Sequence, residues 1–564
     1  MNRPSLACTA LLVCTAAAST VAQGQPPGQG QTRPPGTQPG QVEKQFQKPP
    51  EPTAKPGTIA IPTAGQQPPA NAAGVTFVLK QLTVDSATVY RPEALRAAYA
   101  GDVDKDVSLL EIYRVAERLT ARYRNDGYIL SQVIVPAQTV EGGAIHLQAI
   151  EGYIAHVRIE GGDSALGGRV KKYADKIQAS RPLRITVLER NVLLINDLPG
   201  VVAHAVLAPS SEPGASDLIL QVSQHRASPN LSSDNRGGEA QGPGRVAGDL
   251  DAHALVGPAS RTELRVVTTF TPALNYAVLA HDQFVGAEGG RIGLAASYAY
   301  SKPQELGIVP LDLTTSSVTL NLGYTQTILR RRSRNLYLRG VFTTFDSTTK
   351  VFGVDDTIDR VRSASLGATF DSADRLGGVN VVDVAFFQGL HALGASRNGD
   401  QLLSRATGRV DFRKATLYAQ RMQSLAFHWS ILAAVNGQYA FTDLLSSEMF
   451  SVGGELFGRG YDPSALLNDH GAAAKLELLY SRTWNGRRPV ALMPYAFGDT
   501  GTVWQRTHVP GINPPATVVS AGGGVRMNIG YRLAGFAEAA KPFDAIPGQD
   551  WSRNLRIYVG VSVR

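Results

Sequence analysis

Cysteine is almost missing from this chain of 564 residues: only Cys8 and Cys14 occur, both close to the amino terminus. Residues 1–22 have the pattern of a secretory signal. Arg3 supplies a positive start, an apolar run contains Leu11, Leu12 and Val13, and small residues end at Thr20-Val21-Ala22. Without that segment the mature chain holds no cysteine, which excludes disulfides and thiolate metal sites. Charge is scarce as well, at 18% of residues, below the usual quarter. The net charge is +8, but Arg and Lys are scattered and no basic helix or aromatic RNA-binding motif accompanies them, so nucleic acid is not an expected partner. Beyond the signal no run of about 18 apolar residues exists, so no transmembrane helix is expected. A closed β-barrel crosses a membrane without such runs. The ten histidines are dispersed, and neither His-Glu-x-x-His nor a Gly-Lys-Ser/Thr phosphate loop occurs, so no catalytic residue, metal site or cofactor is expected.

Three textures are present. Residues 23–74 are rich in Pro, Gln and Gly, as in Gln25-Pro26-Pro27-Gly28-Gln29. That composition cannot bury a core of its own and reads as a linker, with room for a short plug or partner-binding element. Residues 75–154 and 155–226 read as two consecutive α/β modules of similar plan. In the first, Phe77-Val78-Leu79 opens a strand, Leu109, Ile112, Val115, Ala116 and Leu119 recur at helical spacing, and strands follow at 129–135 and 145–150. The second runs from a strand at Val157-Arg158-Ile159 through helical stretches near 169–178 and 186–196 to strands near 201–207 and 217–224.

From residue 227 to 564 the chain alternates apolar and polar residues in segments of about ten, the pattern of a barrel with one face to lipid and one to its lumen. Val318, Leu320, Leu322 and Tyr324 oppose Thr319, Asn321, Gly323 and Thr325; Ala472, Ala474, Leu476, Leu478 and Tyr480 oppose Lys475, Glu477 and Ser481; Leu555 to Val563 does the same. A soluble β-sandwich also alternates. Tight connections at 330–333, 372–374 and 485–487 interleave with longer ones near 302–313, 347–358, 389–402, 443–470, 505–516 and 541–552. This order predicts a mainly β fold: a transmembrane outer-membrane β-barrel of about sixteen strands, preceded by two periplasmic α/β domains, with short turns on the periplasmic side. The arginines at 330–332 then read as a solvated turn at the membrane interface. Within the barrel, Val452 to Asp462 reads as a glycine-rich loop carrying Arg459. Phe497, Asp499 and Gly501 share one face of a strand.

These motifs resemble a known family. Gly127-Tyr128-Ile129-Leu130, Val133 to Gln138 and Glu151-Gly152-Tyr153-Ile154 are similar to the first POTRA domain of two-partner secretion translocators, the hemolysin activation and secretion proteins of the ShlB/FhaC/HecB type. Arg181-Pro182-Leu183, Leu188-Glu189-Arg190 and Leu194 to Gly200 are similar to their second. In the barrel, Asp234-Asn235-Arg236-Gly237 resembles that family's first strand and loop, Arg459-Gly460-Tyr461 its lumen-inserted sixth extracellular loop, and Phe497-x-Asp499-x-Gly501 the partner strand. Gly458 stands where many members carry valine. The resemblance implies that Arg459 pairs with Asp499 inside the barrel, holding the inserted loop. Gly458 and Gly460 would let that loop turn, beside Tyr461.

It also implies a pore, set among outer-membrane lipids, that exports one large secreted exoprotein, unfolded in the periplasm, such as an adhesin or hemolysin, with activation of that partner as an optional further role. Capture by strand addition would use an exposed sheet edge, with Ile129, Val133 and Val135 as tentative substrate-binding residues and 201–207 as a second candidate strand. An outer-membrane assembly factor of the same superfamily and a diffusive porin are the alternatives; the porin needs neither the modules nor the Arg–Asp contact.

Overall fold

The computed structural model describes residues 35–55, 66–304, 312–507, 514–546 and 553–564. The expected signal, with both cysteines, lies outside them.

The first module contains the strand Gln81–Asp85, helices Pro92–Arg96 and Leu109–Asn125, and strands Gln132–Ile134 and Ala144–Ile150. The longer helix starts where Ser108 accepts the Glu111 amide at 3.3 Å, which satisfies one of its free N–H groups. Its face of Ile112, Val115, Ala116, Leu119 and Tyr123 is buried, as the spacing predicts. The second module repeats the order with Tyr153–Glu160, helices Ser164–Gln178 and Ile185–Asn196, and strands Val201–Pro209 and Ala215–Gln224. In both sheets the last strand lies in the middle, parallel to the first and antiparallel to the second.

The strand read at 129–135 is shorter, and its edge is not free. Only Gln132–Ile134 pairs. Thr120 Oγ1 accepts the Val133 N–H at 2.8 Å, and the Gln66 amide brackets the Val135 backbone at 2.8 and 3.0 Å. Val133 and Val135 are buried in the first module's core. Ile129 packs instead into the core of the second. Val133 and Val135 are thus buried within the first module, and Ile129 ties it to the second.

Residues 227–563 form a closed, antiparallel barrel in which each strand pairs with its neighbours in sequence. The first strand is Ala227–Asp234 and the sixteenth Arg556–Val563; the twelfth is broken at Ser481 into His470–Tyr480 and Arg482–Trp484. Gly560–Val563 pairs with Leu231–Asp234 and closes the ring, so no edge is left open. The alternating apolar residues face outward: Val318, Leu320, Leu322 and Tyr324 on the sixth strand and Ile557, Val559, Val561 and Val563 on the last are all exposed. No helix among the described residues is long and apolar enough to cross a membrane. Short connections such as 286–289, 331–333 and 530–532 lie at the end nearer the modules, and the longest, 441–469, at the other.

Two readings of the connections and linker change. The loop expected at 347–358 is a hairpin: the seventh and eighth strands, Arg334–Val351 and Val354–Ala373, run on to a turn at Phe352-Gly353. Polar residues such as Thr348, Thr349 and Asp355 mimic a loop, yet their backbones still pair, across one register shift between Thr349 and Lys350. The linker is also not featureless. Residues 35–55 thread the barrel, and the short helix Gln41–Gln45 sits inside it with Gln41, Val42 and Glu43 buried. Val42 packs with Val267, Leu274, Tyr276 and Ala299 of the wall, and Phe46 stacks on Tyr276 at 4.9 Å. A segment too polar to build a core has borrowed the barrel's.

Candidate functional site

Loop 441–469 turns back into the lumen and delivers Arg459 to the barrel wall. Gly458 makes the turn at φ 80°, a conformation that disfavours any side chain. The next residue but one, Gly460, passes so close to the wall that a Cβ would meet the Pro542 nitrogen at 2.9 Å. Tyr461 follows, 1% exposed. Its hydroxyl lies 3.0 Å from the Val519 carbonyl and accepts the Asp544 N–H at 3.0 Å.

Arg459 and Asp499 are brought together. The arginine's Nε donates to Asp499 Oδ2 at 3.3 Å, and its backbone N–H reaches the same oxygen at 3.2 Å. Phe497 lies flat beneath the guanidinium, 3.6 Å from ring centroid to Cζ, a cation–π contact. The third residue of that face, Gly501, leaves space for Val452 of the loop, whose Cγ1 a Cβ would meet at 2.5 Å.

The contact is larger than one pair. Arg459 Nη2 donates to Glu477 Oε1 at 2.9 Å and Nη1 to Glu538 Oε2 at 3.2 Å. All four groups are 2–3% exposed. Arg526 holds the other oxygen of Glu477, and Arg236 holds the other oxygen of Glu538. Tyr495 adds a 2.6 Å bond to Glu538. Three guanidiniums therefore bond three carboxylates contributed by strands twelve, thirteen and fifteen. Full pairing is what buried charges require, and removing one partner of such a set costs about 3–5 kcal/mol. Glu477 had a sequence signal, its place on the polar face of the twelfth strand. Glu538 had none that named its partner. Asp234 and Arg236, singled out at the first loop, contact Arg245 and Glu538 respectively.

The inserted loop and the lumen helix touch. Gln41 donates to the Ser446 carbonyl at 2.7 Å and Lys44 to that of Met449 at 2.5 Å. Beneath the Arg459 cluster the lumen retains a cavity of ≈ 980 Å³, lined by Asp249, Arg261, Glu263, Arg265, Lys475 and neighbouring side chains. Among the described residues no group of three His, Cys, Asp or Glu is placed to hold a metal.

Arg330 is not part of a solvated turn. It is 6% exposed and forms a bidentate pair with Asp197 of the second module, both bonds 2.7 Å, the strong fork geometry of arginine. The Arg332 N–H donates to Glu189 at 2.9 Å, and Glu288 of a barrel turn pairs with Lys176 and Arg190. The second module is thus docked on the barrel's turn end.

Known proteins are similar along most of the chain. The heme/hemopexin transporter protein HuxB of Haemophilus influenzae is 24% identical over 84% of this chain and 84% of its own. The outer membrane transporter CdiB of Dickeya dadantii is 23% identical over 72% of each. The solved structure of CdiB from Escherichia coli superposes with a TM-score of 0.71 at 20% identity, covering 89% of this chain and 93% of that one, which speaks to the fold. Residues 77–152 match the ShlB-type POTRA domain. Residues 214–527, more than half the chain, match the haemolysin secretion/activation protein family, and the chain belongs to that family, ShlB/FhaC/HecB.

Proposed function

We propose that the Arg459 cluster is a structural latch of an export channel, seating loop 441–469 in the lumen and performing no chemistry of its own. The chain itself is an outer-membrane pore of the two-partner secretion class, with its α/β modules in the periplasm, and it exports a secreted partner protein. The observation that carries the latch reading is the seating of the inserted loop's single arginine, Arg459, on three wall carboxylates around the lumen. A fixed hub of this kind holds the loop's shape while neighbouring lumen contents change.

In this reading the partner arrives unfolded at the periplasmic modules. Strand addition falls to the free edge of Val201–Pro209. Asn196 already brackets Ala203 on that edge, but 204–207 are exposed, with Val206 and Leu207 offering apolar contacts. The polypeptide then passes the lumen once the helix Gln41–Gln45 has moved aside. The periplasm holds no nucleotide triphosphate, so folding of the partner outside supplies the drive.

Arg459→Ala and Asp499→Ala, each co-expressed with the secreted partner protein, are expected to insert as heat-modifiable barrels and to release little partner into the medium. Full secretion by both variants would refute the latch.

A further inference from the structure

Asp371 is a buried carboxylate, 1% exposed, that no cation touches directly among the described residues. Neutral donors hold it instead. Two come from the lumen segment: the Ala54 N–H at 2.7 Å and Thr53 Oγ1 at 3.2 Å. The third is Asn335 Nδ2 at 2.9 Å. A buried anion with only neutral partners is the costly way to satisfy it, and a nearby cation is the usual alternative.

That cation is present, one residue removed. Arg330, Asn335 and Asp371 stand in one row across the sixth, seventh and eighth strands, for Arg330 is directly opposite Asn335 and Asn335 directly opposite Asp371. Two strand spacings separate the ends of the row, about 10 Å between backbones, within an arginine's reach. Asn335 is 0% exposed and has one possible orientation. Its Oδ1 accepts from Arg330 Nη1 at 2.9 Å and from the Arg331 N–H at 3.1 Å, while its Nδ2 faces the carboxylate and Thr53. Flipping the amide would set donors against donors on one side and oxygen against oxygen on the other.

Arg330 stays away from Asp371 because Asp197, on the second module, holds it with two bonds. We infer that Asp371 is an exchange point: when the second module lifts from the barrel, Arg330 loses Asp197, takes Asp371 in its place, and so displaces Thr53 and Ala54 and loosens the lumen segment. In the docked state Arg330 pairs with Asp197 while Asp371 rests on neutral donors; after the exchange the two buried charges pair with each other. The Lys55 N–H donates to the Arg332 carbonyl at 2.8 Å, and Arg332's own N–H is held by Glu189 of the second module. Undocking therefore slackens the next residue of the segment as well. The exchange adds a regulatory step to the export reading, and its test reads only the seating of the segment.

The expected mature chain lacks cysteine, so a single Val42→Cys reports on the lumen helix. The full chain is reconstituted in liposomes and the labelling rate of that thiol by a charged maleimide is measured. Asp197→Ala is expected to speed labelling by about tenfold or more, the size of losing strong bonds to a buried acceptor. Asp197→Ala combined with Arg330→Gln removes the competing guanidinium and is expected to return the rate to near that of the parent. Labelling at the parent rate in Asp197→Ala would overturn the exchange. So would a double variant as fast as the single one, since loosening would then come from undocking alone. Asp197→Asn, which keeps the shape but not the charge, serves in the same comparison if the alanine variant fails to insert.

Discussion

Arg459 carries one charge and meets three carboxylates, and only a guanidinium can do so. Its planar fork presents separate N–H groups to Asp499, Glu477 and Glu538 while its face lies on Phe497. A lysine ammonium has the charge but not the fork, so Arg459→Lys is expected to lose most of the export lost in Arg459→Ala, measured as partner released into the medium. Export at the parent level in the lysine variant would mean that charge alone seats the loop. The pairing with Asp499 was legible through the family resemblance, and a strand's period of two added only that Phe497, Asp499 and Gly501 share one face. Glu538 was not legible, because which strands stand beside each other around a ring, and at what register, is a property of closure.

Among the elements, the first module shows how local signals and long contacts combine. Glu151, just after the strand Ala144–Ile150, accepts the Thr88 and Val89 N–H groups at 2.8 and 2.9 Å and the Tyr123 hydroxyl at 2.8 Å, with the Thr88 hydroxyl as a fourth donor. Burial pushes its carboxyl up, but these bonds outweigh burial and hold it below the ordinary value. A depressed folded pKa gives stability that is complete above the unfolded value, about 4.3, and is lost as pH falls through the lower folded one. Hydrogen-exchange protection across residues 81–150 of the full chain, measured relative to the intrinsic rate at each pH, is therefore expected to fall in acid below about pH 4. Glu151→Gln is expected to remove that step and to cost the module about 1–3 kcal/mol at neutral pH. Unchanged acid sensitivity in that variant would assign the step to another group. The helix Leu109–Asn125 was readable from its apolar spacing. The strand at 129–135 was overread, because an apolar run says that residues are buried and not which of two adjoining cores buries them.

The whole molecule is a wall around two tenants. The lumen helix and loop 441–469 contact each other and fill the barrel above the charged cavity, so an ion path requires at least one to leave. A chain without residues 35–55 is expected to insert normally and to conduct at several times the intact level in planar bilayers. Equal conductance would show that the loop alone closes the pore. Composition marked 23–74 as unable to fold by itself. That is correct physically for the lumen helix, whose apolar partners Val267, Leu274 and Tyr276 all belong to the wall.

By itself the sequence determined the β-barrel, its strand number, which faces meet lipid, the pair of modules before it and the arginine to watch. Each rests on a period, a composition or a local motif, and those are properties of neighbouring residues. Tertiary structure alone decided the company these residues keep. Closure brought Glu477 and Glu538 to Arg459, docking turned a solvated arginine into a buried partner of Asp197, and register laid Arg330, Asn335 and Asp371 in one row beneath the lumen segment. Such contacts join strands and modules far apart in the chain, and no local pattern encodes which of many polar inward positions will stand side by side once the ring shuts.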